Sequence, residues 1–195
     1  MSRLPPLRRD DLDETGGALW DLIVSTRSSA VIDEDGGLRG PFNPWLHAPE
    51  LGRRAAELGW QLRAGSSVER RLLELAIITT GARWKSEFEW WAHVPMARQH
   101  GVTDDVIDAI GRGEDPPLSK DDERAVYTAA KQLSEDGRLD AETYAAAHGF
   151  LGDRGMVELV SLVGYYALVS FTLNAFEIGL PPGTTPTFAE PPVPR

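Results

Sequence analysis

The segment from Ser67 to Trp84, SVERRLLELAIITTGARW, constrains the fold of this chain more than any other stretch. After Arg71 it is apolar on nearly every side of a helix. A helix formed there cannot rest on a surface with one face in water and has to be enclosed by other elements. The β-branched Ile77, Ile78, Thr79 and Thr80 are offset by a Leu-rich start, and Gly81 reads as the helix end. Glu74 stands inside this run. An unpaired carboxylate costs several kcal/mol to bury, so Glu74 needs solvent, a cation such as Arg70 or Arg71, or a polar pocket.

Helical spacing continues through most of the chain. DDLDETGGALWDLIVSTR has acids at its start and Leu12, Leu19, Leu22 and Ile23 at helical intervals, with Gly16 and Gly17 weakening the middle. Residues 30–47 hold five Gly or Pro together with Phe42, Trp45 and His47, and read as an irregular aromatic loop of the kind that lines a pocket. APELGRRAAELGWQLRAG is a further helix, and Ser66 or Ser67 reads as the cap of the next. Thr103, Ser119 and Asp140 are placed to start later helices. DRGMVELVSLVGYYALVSFTLNAFEIG is a long, almost wholly apolar final helix, and the proline-rich 181–195 reads as an extended tail. No segment alternates as a strand does, so the expected fold is all-α: a single helical domain over 1–180 followed by the tail. The two most apolar stretches echo each other, with Glu74 and Ser86 matching Glu158 and Ser170, which suggests a duplicated helical unit.

Composition excludes several classes. The net charge of −10 disfavours nucleic acid. No run reaches the roughly 18 apolar residues of a membrane span, and the start MSRLPPLRRDDLDE has no signal-like apolar stretch, so no membrane partner and a cytoplasmic location are expected. The chain has no cysteine, which removes disulfides, thiolate ligands and cysteine redox chemistry.

SEFEWWAHVPMARQHG, from Ser86, concentrates the chemistry. On a helix, Ser86, Glu89 or Trp90, and His93 share a stripe. A carboxylate one turn before a histidine can hold one ring nitrogen and leave the other free to exchange a proton. Desolvation by the neighbouring tryptophans works against the charge the acids favour, which points to titration near neutral pH. Pro95 lacks the N–H that would bond the carbonyl of Trp91 and bends the helix or frees an acceptor near His93. A plain exposed Glu–His pair is the competing reading of the same spacing.

Glu74, Ser86 twelve residues on, Glu89 three further and His93 four further resemble the carboxymuconolactone decarboxylase and alkylhydroperoxidase-D-like superfamily, whose peroxidase members have Glu, two cysteines and His at these intervals. GPFNPWLHAPELG and HGVTDDVIDAI are similar to the flanking family stretches, and the resemblance covers about 42–113. It implies an all-helical homo-oligomer, a trimer or hexamer by preference, with a site around the Glu and His positions. Both cysteine positions are changed, to Ser86 and Glu89, so cysteine-dependent peroxidase activity is excluded. Glu89 before His93 is instead similar to the decarboxylase branch. That branch implies His93 as proton donor, Glu89 as its orienter, Glu74 as a second acid–base group and Ser86 beside them. Phe42, Trp45, His47 and Trp90 would contact a small carboxylated lactone or related ring compound, with no cofactor or metal. Two alternatives stand beside this lyase reading: a non-catalytic ligand-binding or scaffold oligomer, and a metal site built from Glu74, Glu89 and His93.

Overall fold

The structure is a computed structural model that describes residues 2–27 and 31–188. Ala30, at the start of the expected aromatic loop, and residues 189–195 of the tail lie outside the described residues. Among these the fold is all-α, with eight α-helices: α1 Glu14–Arg27, α2 Phe42–Leu46, α3 Pro49–Ala64, α4 Arg70–Arg83, α5 Glu87–Gln99, α6 Asp104–Arg112, α7 Asp121–Asp136 and α8 Ala141–Ala175. The chain divides into two compact units. One is Met1–Gly65 with Thr172–Gly179, the other Ser66–Phe171 with Leu180–Arg195.

In the first unit α1, α2 and α3 pack together. Asp13 Oδ1 accepts the Gly16 N–H at 2.8 Å, so the two glycines fall in the capped first turn of α1 rather than in its middle. Residues 42–46 of the expected loop are a short helix, and Phe42 and Trp45 are buried with their rings edge to face at 5.6 Å. α3 reaches them through Gly52, where an added Cβ would stand 2.6 Å from Trp45 Cβ and 2.7 Å from its carbonyl oxygen.

The second unit is organised around α4, which packs on α5, α6 and α7. Its residues from Arg71 to Gly81 are all buried, as an apolar surface on every side requires. The helix runs past Gly81 to Arg83. It stops in a paired-bond cap in which Lys85 N–H bonds Ala82 O and Ser86 N–H bonds Gly81 O, both at 3.0 Å. Lys85 holds the left-handed conformation (φ 48°) that glycine usually supplies in this cap. Gly81, inside the helix, faces Glu89, whose Cγ would lie 3.5 Å from an added Cβ.

Buried Arg71 fastens α4 to α7, reaching Glu123 at 2.5 Å and Asp122 at 2.6 Å. Burial opposes its charge, but the hydrogen bonds it donates to Asp122, Glu69 and Glu123 raise its pKa above the ordinary arginine value. Ser66 and Ser67 do not cap α4, whose N-cap is Glu69. Their hydroxyls and the Ser67 N–H donate to Glu158 Oε2 on α8 at 2.7 to 2.9 Å. Burial works against the Glu158 charge, yet Arg154 and these serine donors hold its carboxyl down at about 2. Ser119 likewise precedes the cap of α7, which is Lys120, whereas Asp140 does cap α8 by accepting the Thr143 N–H at 2.7 Å.

α8 changes direction at Gly152 (φ 62°, ψ −177°), so the expected short and long helices meet there. It is long and apolar enough to cross a membrane by length and composition, and half of its most apolar stretch is buried inside the protein. The echo between the two apolar segments does not correspond to one local structure. From Glu74 to Ser86 the chain ends one helix and caps another, while from Glu158 to Ser170 it stays in α8.

Candidate active site

Glu74, Glu89 and His93 meet inside the second unit. Glu74 points from the middle of α4, and Glu89 and His93 occupy successive turns of α5. All three are buried, with 0%, 4% and 8% of their surface exposed. His93 Nδ1 lies 2.8 Å from Glu74 Oε2, and Nε2 lies 3.0 Å from Glu89 Oε1. Arg70, one turn before Glu74, brings Nη2 to 2.8 Å from Glu74 Oε1. Of the three outlets open to Glu74, two are used together, a cation and a polar pocket.

Both ring nitrogens are therefore held by carboxylates, where the spacing alone had suggested one. Burial disfavours the imidazolium. The Glu89 charge and the hydrogen bonds of both acids outweigh it and raise the pKa of His93 to about 9, above the near-neutral value expected. At neutral pH the ring is a cation, with Nδ1–H donating to Glu74 and Nε2 in ion-pair contact with Glu89. With Arg70 it balances the two carboxylates.

Ser86 is fully buried at the N-cap of α5, yet its side chain makes no capping bond and its Oγ has no hydrogen-bond partner. No hydrogen bond between Ser86 and His93 is present. Ser170 on α8 has the same condition, fully buried with an unpartnered hydroxyl. Tyr166, on the buried face of α8, escaped the sequence reading. Its hydroxyl oxygen is 3.4 Å from His93 Nε2 and its ring meets the imidazole edge to face at 5.1 Å. No local motif marks it. Only its place in a helix apolar on several faces hinted at a buried hydroxyl needing a partner.

The remaining expected residues lie elsewhere. Trp90 is buried against Val94 and Ile107, with Phe188 edge to face at 5.3 Å. It lines a cavity of about 430 Å³ with Trp91, Pro95, Arg98 and Thr187, and His93 is not in that lining. Phe42 and Trp45 belong to the core of the first unit, and His47 Nε2 is 3.0 Å from the carbonyl oxygen of Pro5. Among the described residues no three His, Asp or Glu side chains converge as ligands. The two acids sit on opposite nitrogens of one ring, and a ring with both nitrogens so engaged has no lone pair facing the carboxylates for a shared metal.

An all-helical fold with a buried glutamate on one helix and a Glu–His pair on the next defines a class. The model of the Carboxymuconolactone decarboxylase family matches residues 49–132 of this chain. Three solved structures share the fold. An alkylhydroperoxidase AhpD core protein, a peroxidase-related protein from Ralstonia eutropha JMP134, is 13% identical with a TM-score of 0.73 over 93% of each chain. A cysteine-to-alanine variant of the debrominase Bmp8 in complex with 2,3,4-tribromopyrrole is 14% identical, with a TM-score of 0.69 over 93% of this chain and 95% of that one. A protein of unknown function from Agrobacterium tumefaciens is 15% identical, with a TM-score of 0.64 over 73% of this chain and 99% of that one. No curated protein matches the sequence.

Proposed function

We propose that the protein is an acid–base enzyme of the decarboxylase type, a lyase acting on a small carboxylated lactone or related ring compound, working as a cytoplasmic homo-oligomer. The observation that carries the reading is the buried Glu74–His93–Glu89 array. Loss of carbon dioxide leaves an electron pair that must be delocalised and then protonated, and a buried imidazolium is a proton source for that step. In this reading His93 is the donor, and Glu89, on Nε2, orients it and carries the proton between ring and substrate. Glu74, neutralised by Arg70, holds Nδ1 and restores the charge balance afterwards. The debrominase neighbour is solved with a halogenated pyrrole, which supports a small ring compound as the kind of ligand this fold takes. Without cysteine, thiol-based peroxide reduction has no nucleophile here.

The double engagement of His93 favours one second reading, a non-catalytic ligand-binding or scaffold oligomer in which the array only ties α4 to α5. A panel of carboxylated lactones and aromatic acids, followed for carbon dioxide release and for deuterium incorporation from heavy water, separates the two. Under the enzymatic reading at least one compound turns over and Glu89→Gln lowers kcat by about two to four orders of magnitude with KM little changed. Binding without turnover or exchange across the panel would establish the second reading.

A further inference from the structure

Two buried hydroxyls do not take the partners their own helices offer. Thr79 and Thr80 on α4 show the usual pattern of a buried helical hydroxyl and donate to the carbonyl four residues back, at 2.7 and 2.8 Å. Ser170, inside α8 with the Tyr166 carbonyl at the same offset, makes no such bond, and its Oγ is fully buried without a partner. Ser86 has a different local outlet. It is the N-cap of α5 with Glu89 at the third helical position, the Ser-x-x-Glu pattern of a capping box, yet its Oγ makes no capping bond and is likewise fully buried and unpartnered. Glu89 has turned to His93 Nε2 instead. A buried hydroxyl left unpaired is costly, so each of these calls for a partner from outside the chain.

The fold brings the two serines to one place. Trp84 meets Phe171 ring to ring at 4.6 Å and His93 meets Tyr166 at 5.1 Å, so α8 runs past α5 with the chain order reversed. Ser86 and Ser170 both fall between these contacts. Ser86 stands two turns before His93 on α5, and Ser170 one turn after Tyr166 on α8. The interval adjoins Nε2 of His93, which faces Glu89 and Tyr166, and not Nδ1, which is taken by Glu74.

We propose that the Ser86 and Ser170 hydroxyls are paired donors for the carbonyl oxygen of a conjugated lactone or enone, the electron sink of the reaction. The chemistry rests on the acid–base reading above. When the bond to the carboxyl carbon breaks, carbon dioxide leaves without the bonding pair, which moves through the conjugated double bond onto the carbonyl oxygen. The two O–H groups stabilise that enolate. The pair then returns to carbon as a C–H bond forms with the proton from His93, carried by Glu89. Charge fits this role: His93 and Arg70 already balance Glu74 and Glu89, so neutral hydroxyls suit an oxygen that arrives uncharged and becomes negative only during reaction. Spacing fits as well. Glu89 lies about 4.5 Å along α5 from Ser86, roughly the span of a five-membered ring from its carbonyl oxygen to the far carbon. The hydroxyls are sealed from water, which strengthens their bonds to such an oxygen, and α8 must shift by about 3.5 Å, the thickness of a flat ring, to admit it.

Butenolide, an unsaturated five-membered lactone with no carboxylate to lose, is the probe, and furan is the ring without the carbonyl. Calorimetric titration of the full chain should show butenolide binding at least tenfold tighter than furan. Infrared difference spectra should place the bound carbonyl stretch at lower frequency than in water. Ser86→Ala and Ser170→Ala should each weaken butenolide by about tenfold, leave furan unchanged and return the stretch toward its free position. The unfolding temperature of the ligand-free variants should hold or rise, because each change removes an unpaired buried hydroxyl. Equal butenolide affinity in native and variant chains, an unshifted stretch, no butenolide binding at millimolar concentration, or lost binding together with a lowered unfolding temperature would overturn the proposal. None of these measurements needs turnover, so the failure of the decarboxylase reading, no carbon dioxide released from any acid, is a separate result.

Discussion

His93 is a cation because two buried acids demand one, and this sets both its chemistry and its contribution to stability. Its folded pKa of about 9 lies above the ordinary histidine value of 6.5. The protonated ring therefore stabilises the fold fully below about pH 6.5, and that contribution, on the order of 3 kcal/mol, is lost as pH rises through about 9. Thermal unfolding followed from pH 6 to 9.5 should show this alkaline loss in the native chain and not in His93→Gln. That substitution also removes the only partner of Glu89 in the array, so it should cost about 3 kcal/mol even at pH 7. Pairing it with Glu89→Gln should recover part of the loss, measured by denaturant midpoint. If the array is catalytic, turnover should fall on the alkaline side through about pH 9, and Glu89→Gln should move that limb to lower pH.

Helix ends and helix contacts carry the next level of constraint. Lys85 occupies a left-handed position at the end of α4 where a side chain is disfavoured, so Lys85→Gly should raise stability by about 1 kcal/mol, readable as a higher unfolding temperature. The opposite holds at Gly52, where a methyl group would meet Trp45 Cβ at 2.6 Å and Leu19 Cδ2 at 2.8 Å. Gly52→Ala should separate α3 from α2 and cost about 1–3 kcal/mol in chemical denaturation. The tie between α4 and α7 rests on Arg71. Its replacement by Met leaves Glu123 buried without its closest cation, at an expected cost of about 3–5 kcal/mol. Lys120, 3.5 Å from the same carboxylate and half exposed, is too far and too wet to compensate.

At the scale of the molecule, charge opposes the homo-oligomer proposed above, and the exposed Val157, Val160, Leu168 and Phe171 of α8 are apolar surface available to it. A net −10 on each copy repels at long range, and salt screens that repulsion within about 10 Å at 0.1 M. Self-association through such uncharged apolar surface should therefore tighten, not weaken, between about 20 and 300 mM salt, as sedimentation equilibrium can read. An interface built from ion pairs would show the reverse dependence.

The sequence by itself determined the helical class, because no segment carries the two-residue alternation of a half-buried strand and the Leu72–Gly81 run permits only an enclosed helix. It also determined what chemistry is impossible, since a chain without cysteine has no thiolate. The Glu89–His93 contact was legible because a four-residue offset is a property of one helix. The partnership of Glu74 with His93 across two helices could be anticipated only through a family spacing, and its geometry could not. Which carboxylate takes which nitrogen depends on how α5 lies against α4, and that follows from side-chain packing and from the capped turn at Lys85. Tyr166, seventy-three residues from His93, had no local motif to mark its partner. Likewise Gly81 looks like a helix end in one dimension and proves to lie inside α4, facing Glu89, in three. Local spacing encodes what one helix can present, while tertiary packing decides which groups meet and, by excluding water from Glu74, Glu89 and His93, makes the meeting strong enough to hold an imidazole charged.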